Sequence, residues 1–460
     1  MLRTLSSLAL GSTKSTASDA LRCAYDAPEM ATSPPESTDA GPGPPPRGLS
    51  LQTFAAFQSR PFTWLWINAL SFVLSQSIQQ FALVWLVLDR GGGGGVLGAV
   101  AFSLGLPVLV FALPAGVLAD QFDRRLLLFA SQLGSLAVAS SAAVLVWTDA
   151  INTPVMIVLA LLLGTSTALG QPVRVSIVPS IVEPARLLNA ITLMSLGQNM
   201  SQIVGPALVG AVIAFAGVGG AFTLQAALLL CGLAALTQLR IPRPQGATRE
   251  RSGRSIGEGF AFVIRTPAIL SLMLLLLTVT LVMGGAFVTL LPKIAREELE
   301  VGALGTTLLL TAMGIGTLLC SLALASVPSI RRAGLLFMST IALGGLLHAV
   351  IGLSTDYALT FAVMILIGLH AGIFMNLNMT LVQAHTPQHL MGRVMAIYTL
   401  SLAGGLPLGG LLAGVMSEVT GAPQWYSIAG LMMFVAGAAA IITQRSLREM
   451  GSEPRAAATG

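Results

Sequence analysis

Apolar residues in this chain gather into long runs separated by short polar gaps. Reading the runs off gives about twelve: roughly 62–88, 96–119, 126–147, 153–175, 188–214, 219–239, 268–291, 304–327, 334–353, 357–382, 394–416 and 424–443. As a helix rising ~1.5 Å per residue, each is about long enough to cross a ~30 Å hydrocarbon layer. Polar residues otherwise collect in the stretch 240–266 and at the two ends. The pattern predicts an all-α membrane protein with twelve transmembrane helices.

Composition agrees. The 460 residues are 54% hydrophobic and only 9% charged, too few charges to cover a soluble domain of this size. The net charge of +5 would suit a nucleic-acid partner, but the charges fall elsewhere. With the N-terminus placed in the cytoplasm, only Arg90, Lys293 and Arg296 of the 24 Lys and Arg lie outside. Cytoplasmic loops carry the basic excess, so both termini are expected inside, and no nucleic-acid partner is expected. No G-x-x-x-x-G-K-[ST] occurs, so no ATP site is expected, and the five glycines 91–95 read as a flexible external loop. Cys23, Cys231 and Cys320 are too scattered for a disulfide framework or a metal site. Residues 1–50, rich in Ser, Thr, Pro, Ala and Gly, read as a disordered cytoplasmic tail in which Met30 is an alternative start.

The chain also repeats itself. Leu127-Leu128-Phe129-x-Ser131 returns as Leu335-Leu336-Phe337-x-Ser339, 208 residues on. Arg124-Arg125 returns as Arg331-Arg332, and Pro61, Arg90 and Pro179 match Pro267, Arg296 and Pro387 at nearly the same offset. The expected organisation is a six-helix bundle over 51–239, a cytoplasmic linker over 240–266, a second bundle over 267–445 and a cytoplasmic tail from 446 to 460.

Between the second and third runs lies PAGVLADQFDRRLLLF, Pro114 to Phe129, with Asp120, Asp123, Arg124 and Arg125 in one tight turn. Charges this dense belong at the cytoplasmic interface. The spacing G-x-x-x-D-x-x-x-R-R, carried by Gly116, Asp120, Arg124 and Arg125, resembles the signature loop of the major facilitator superfamily of transporters. It departs at Gln121, where that family usually has Arg or Lys, and at Asp123, where many branches have Gly. AGVLADQFDRR, QNMSQIVGPALVG, GEGFAFVIRTP and LVQAHTP…GRVMAIYTLSLAGGLPLGG extend the likeness over about 55–445, towards the branch of macrolide, multidrug and enterobactin exporters. The resemblance implies two pseudo-symmetric six-helix bundles with a binding site between them near the midplane. It also implies bacterial export of a drug-like or siderophore-like compound by alternating access and proton antiport. The expected setting is the inner membrane, as a monomer, with no cofactor and the proton gradient as energy source.

Particular residues carry these expectations. Asp120, ending the second run, can accept from free N–H groups at the start of a neighbouring helix. In transporters resembling this one that helix is the eleventh, here beginning near Gly392-Arg393, so Asp120 and Arg124 are expected to latch the halves at the cytoplasmic side. Gly205-Pro206-x-x-x-Gly210 resembles the antiporter motif of drug exporters, although Ser201 and Val209 stand where that motif prefers Gly. The eleventh run has its own cluster, Gly404, Gly405, Pro407, Gly409, Gly410 and Gly414. Such residues suit bent, gating helices or ordinary close packing.

No Asp or Glu sits mid-run; Asp89, Asp149, Asp356 and Glu418 lie at outer ends. That leaves His348 and His370 as titratable groups, with His370 expected to line the cavity and couple protons, and the ninth span expected to face lipid or a flank. Gln76, Gln79 and Gln80, then Gln198, Asn199 and Gln202, then Asn376 and Asn378 beside His370 and Phe374, should point inward, because amides facing lipid go unsatisfied. With Trp64, Trp66, Trp85 and Phe81 nearby, the expected cavity is polar, uncharged at its centre, and suited to a neutral or amphipathic organic molecule. An enzyme is not expected: an intramembrane serine hydrolase built on Ser166 and a remote His would leave the repeat unexplained. A facilitator or a non-transporting sensor of the same fold stays open.

Overall fold

The computed structural model describes residues 56–111, 123–183, 186–239, 255–327 and 329–453. In chain order the helices are α1 (Arg60–Asp89), α2 (Gly94–Phe111), α3 (Arg124–Trp147), α4 (Thr153–Ile181), α5 (Leu187–Gln238) and α6 (Ser255–Arg265). They continue as α7 (Pro267–Val279), α8 (Gly285–Glu297), α9 (Ala303–Ala325), α10 (Ala333–Leu353), α11 (Tyr357–Ala384), α12 (Met391–Thr420), α13 (Ala422–Thr443) and the short α14 (Arg445–Arg448). A π-helical turn, Thr280–Gly284, fuses α7 and α8 into one long span.

Helix starts follow local chemistry. Pro61, Pro154, Pro267 and Pro423 stand in first turns, where a missing N–H is harmless. Asn152 and Asp356 accept from backbone N–H groups of α4 and α11 at 3.1 and 2.6 Å. Among the described residues, eleven helices are long and apolar enough to cross a membrane. One of them, α5, has 52 residues, about 78 Å at helical rise and far more than one crossing needs. It is divided at Gly217, whose φ of 66° and ψ of −176° belong to glycine. The break falls between the fifth and sixth apolar runs.

The 240–266 stretch is more than a linker. Its last part folds as α6, with Glu258 in the first turn and Arg265 in the last, each where the helix dipole favours it. Val263 is buried in the main core, whereas Phe260 and Ile264 are exposed.

Within the first half α1 packs on α5, α2 on α4, and α3 on α4 and α5. In the second half α9 packs on α11, and α10 on α11 and α13. Two seams join the sets, α2 with α12 and α5 with α9. Buried apolar residues follow the same division. One cluster is drawn wholly from 263–447, and three come from 56–239 with Ala303 added. All described residues still belong to one compact unit.

Candidate functional site

Of the charged turn after the second run, Gly116 and Asp120 lie outside the described residues, and so does the side chain of Arg124. Asp123 serves its own helix: its Oδ1 accepts from the N–H groups of Arg125 and Leu126 at 2.8 and 3.4 Å, capping α3. Arg125 reaches away from the turn and donates to the Thr237 carbonyl at 3.1 Å, close to the end of α5, where a cation suits the orphan carbonyls. Arg393, at the start of α12, is ion-paired with Glu258 of α6. A Cβ placed on Gly259 would stand 2.8 Å from the Arg393 Cβ, so the linker helix lies directly on the beginning of α12. The apolar letters of GEGFAFVIR were the available signal for this helix.

The inward amides divide into two groups. Gln79 is buried and accepts from Gln225 Nε2 at 3.2 Å, tying α1 to α5. Asn378 is fully buried and donates to the Leu272 carbonyl of α7 at 3.3 Å. These two hold helices together rather than line a cavity. Gln76 is half-buried, and Gln80, Asn199, Gln202 and Asn376 are exposed. Asn376 donates to Ser321 Oγ at 3.2 Å and to the Gly372 carbonyl at 2.8 Å. The i, i+4, i+8 stripe His370–Phe374–Asn378 does share one buried face, but that face looks into its own bundle. Spacing reveals which residues share a side of a helix, not which neighbour covers it.

His370 is placed accordingly. Its ring is buried against Gly344 of α10 and meets the His348 ring edge-on, 6.0 Å between centroids. His348, expected on a lipid-facing or flanking helix, is itself buried, with Phe287 and Tyr426 beside it at 6.1 and 5.9 Å. Its Nδ1 lies 2.8 Å from the Gly344 carbonyl. Among the described residues, His370 Nδ1 and the Tyr426 hydroxyl have no hydrogen-bond partner. The histidines therefore form an aromatic cluster inside the second set of helices and do not face the space between the sets.

A group that the amide pattern did not reveal lies in the first set. Arg174 of α4 is 2% exposed, and its Nε donates to Asn68 Oδ1 at 3.0 Å. Its Nη2 lies 3.4 Å from Gln132 Oε1, and its guanidinium carbon sits 3.8 Å over the Phe72 ring. Asn68 Nδ2 donates in turn to Gln132 at 2.7 Å and to the Gly232 carbonyl at 2.8 Å, and Gln132 Nε2 to the Leu229 carbonyl at 3.1 Å. This lattice joins α1, α3, α4 and α5. Beside it opens a cavity of about 300 Å³ walled by Trp66, Leu70, Val73, Arg174, Met194 and Gln198 among others. Trp66 is held by donating to the Leu193 carbonyl at 3.0 Å. An apolar wall with one guanidinium and one amide fits an amphipathic molecule, and it lies wholly within the first set of helices. The signal was an Arg inside an otherwise apolar span, as QPVRVSIVPS.

The proline and glycine positions sit at helix contacts. A Cβ on Gly205 would strike Ser77 of α1 at 2.6 Å, and one on Gly210 would overlap Thr307 of α9 across a seam. Pro206 and Pro407 lie inside α5 and α12, and a Cβ on Gly105 of α2 would stand 2.5 Å from Pro407 Cβ.

Comparison with known proteins agrees with this architecture. The family model for transmembrane secretion effectors matches residues 51–459. The multidrug efflux pump Tap of Mycobacterium tuberculosis is 31% identical over 396 residues, 82% of this chain and 91% of that one. The staphyloferrin A transporter of Staphylococcus aureus is 27% identical, covering 78% of this chain and 90% of that one. Among solved structures, the nucleoside transporter NupG superposes with a TM-score of 0.66 at 14% identity, over 83% of this chain and 99% of that one, a likeness of fold. With its helical spans, separate buried clusters in each half and joining seams, the chain is a major facilitator superfamily transporter belonging to the transmembrane secretion effector family.

Proposed function

We propose that this protein is a secondary active exporter of amphipathic organic compounds, working by alternating access and driven by proton antiport. The observation that carries the reading is the pairing of contacts. The α2–α4 and α9–α11 contacts correspond under the sequence repeat, and so do the α2–α12 and α5–α9 seams. Two equivalent bundles that meet chiefly along two such seams can rock about them. With the basic loops inside, the end of the molecule carrying Arg90 and Lys293 faces outward and both termini are cytoplasmic. The relatives' names, a multidrug pump and a siderophore transporter, support export as the direction. Their bacterial sources support the inner membrane, where the protein works as a monomer with the proton gradient as its only energy source.

The cavity beside Arg174 supports the substrate class. Trp66, Leu70, Val73 and Met194 offer apolar surface, and Arg174 and Gln198 offer polar contacts to one end of a ligand. The test is flux in proteoliposomes, comparing an amphipathic dye with a catecholate or carboxylate chelator, with and without an imposed pH gradient. The reading expects uphill movement that collapses when the gradient is dissipated. Downhill flux indifferent to the gradient would make the protein a facilitator, and no flux of any compound would favour a sensor.

A further inference from the structure

The glycine run at 91–95, which by sequence reads as a flexible loop, is built into the seam between α2 and α12. Helix α2 begins inside it, at Gly94. The Gly95 N–H donates to Glu418 Oε1, near the end of α12, at 2.8 Å. A Cβ on Gly95 would stand 2.7 Å from that oxygen, and one on Gly93 3.2 Å from it. One on Gly94 would overlap Ser417 Oγ and approach the Gly414 carbonyl at 2.6 Å, and one on Gly98 would approach the Gly410 carbonyl at 2.9 Å. Backbone atoms cannot yield as side-chain tips do, so only glycine lets the two helices close at this end. The first N–H groups of α2 have no partner within the helix, and the helix dipole adds to their attraction for a carboxylate.

We propose that Glu418 and the glycine-built start of α2 form an outer latch, holding that end of the seam shut in the conformation seen here. The latch rests on the alternating-access reading. Helices α2 and α12 run antiparallel and come from opposite halves, so the end of α12 lies beside the beginning of α2. Glu418 closes one end of the pair. As the halves rock towards an outer-open state, this contact parts. Of the other outer charges, Arg90 pairs with Asp149 at 2.7 Å and Lys293 with Glu297 at 3.8 Å, while Arg296 lies over the Trp85 ring.

The experiment uses the full chain in lipid nanodiscs, without substrate, on a cysteine-free background. Spin labels at Thr148 and Thr355 report the outer opening, and labels at Ser180 and Gln388 the inner one, by double electron–electron resonance. Glu418→Gln should raise the outer-open population about two- to fivefold, the range expected of a charge at a helix start. Gly95→Ala should raise it by a similar two- to fivefold, because the added Cβ displaces the carboxylate tip. Gly302→Ala, whose Cβ meets nothing within 4 Å, controls for loss of folding and should leave both distances unchanged. Unchanged outer distances in both Glu418→Gln and Gly95→Ala would overturn the latch. The distances are read without flux, so a protein that fails to transport could still show the latch, and one that transports could lack it.

Discussion

At the scale of single residues, polar atoms inside the helices matter most, because water is not there to replace a lost partner. Asn68 makes hydrogen bonds to Gln132, Arg174 and the Gly232 carbonyl while fully buried. Asn68→Leu leaves a guanidinium and an amide short of partners, and should lower stability by about 3 kcal/mol. Gln80→Leu, at an exposed position, should change stability by less than about 0.5 kcal/mol. Unfolding in mixed SDS micelles checks both, and equal effects would mean that the lattice is not what holds α1, α3, α4 and α5 together. His370 calls for a different measurement. Its ring packs on His348 and Gly344, and no carboxylate among the described residues faces it. His370→Leu should therefore keep the response of transport to a pH gradient, and loss of that response alone would restore the coupling role expected from the sequence. Polar residues were easy to find in the sequence, but their neighbours were not. Arg174 is visible as a charge in an otherwise apolar span, but its partners lie on other helices, and periodicity is silent about which neighbour covers the His370 stripe.

At the scale of elements, the sequence was informative wherever a run of apolar residues had to match the thickness of a membrane. The spans and the gap between the fifth and sixth runs follow from that match, and Gly217 marks the gap with a backbone conformation open to glycine. Nothing lies within 4 Å of a Cβ at this position, so Gly217→Ala tests backbone strain alone. It should cost about 1–3 kcal/mol, read as a lower midpoint in the same unfolding assay, and no change would mean that the two segments tolerate an ordinary turn. Short elements were harder to see. Helix α6 has 11 residues with a marked apolar face, but it sits among arginines that read as linker. Five consecutive glycines carry no side-chain pattern at all. Their role became visible only once Glu418, more than three hundred residues away in sequence, was found against them.

At the scale of the whole molecule, the two seams are equivalent places for the halves to meet, and each depends on a residue without a side chain. Gly98 presses α2 against the Gly410 carbonyl, and Gly210 presses α5 against Thr307 of α9. If the halves move as rigid bodies, a wedge in either seam should have the same global effect, although the two sites lie on different helix pairs. Gly98→Leu and Gly210→Leu should each open the end of the molecule that bears Arg90. A cysteine at Gln198, on the cavity wall, should then react with a membrane-impermeant maleimide added outside, about tenfold faster than in the parent. Labelling from the inside should slow in parallel, since an exchange between two openings cannot raise both. A wedge that acted only on its own seam, or that sped labelling from both sides, would mean that the helices loosen one pair at a time. Rocking of two bundles would then be the wrong description of how this transporter moves.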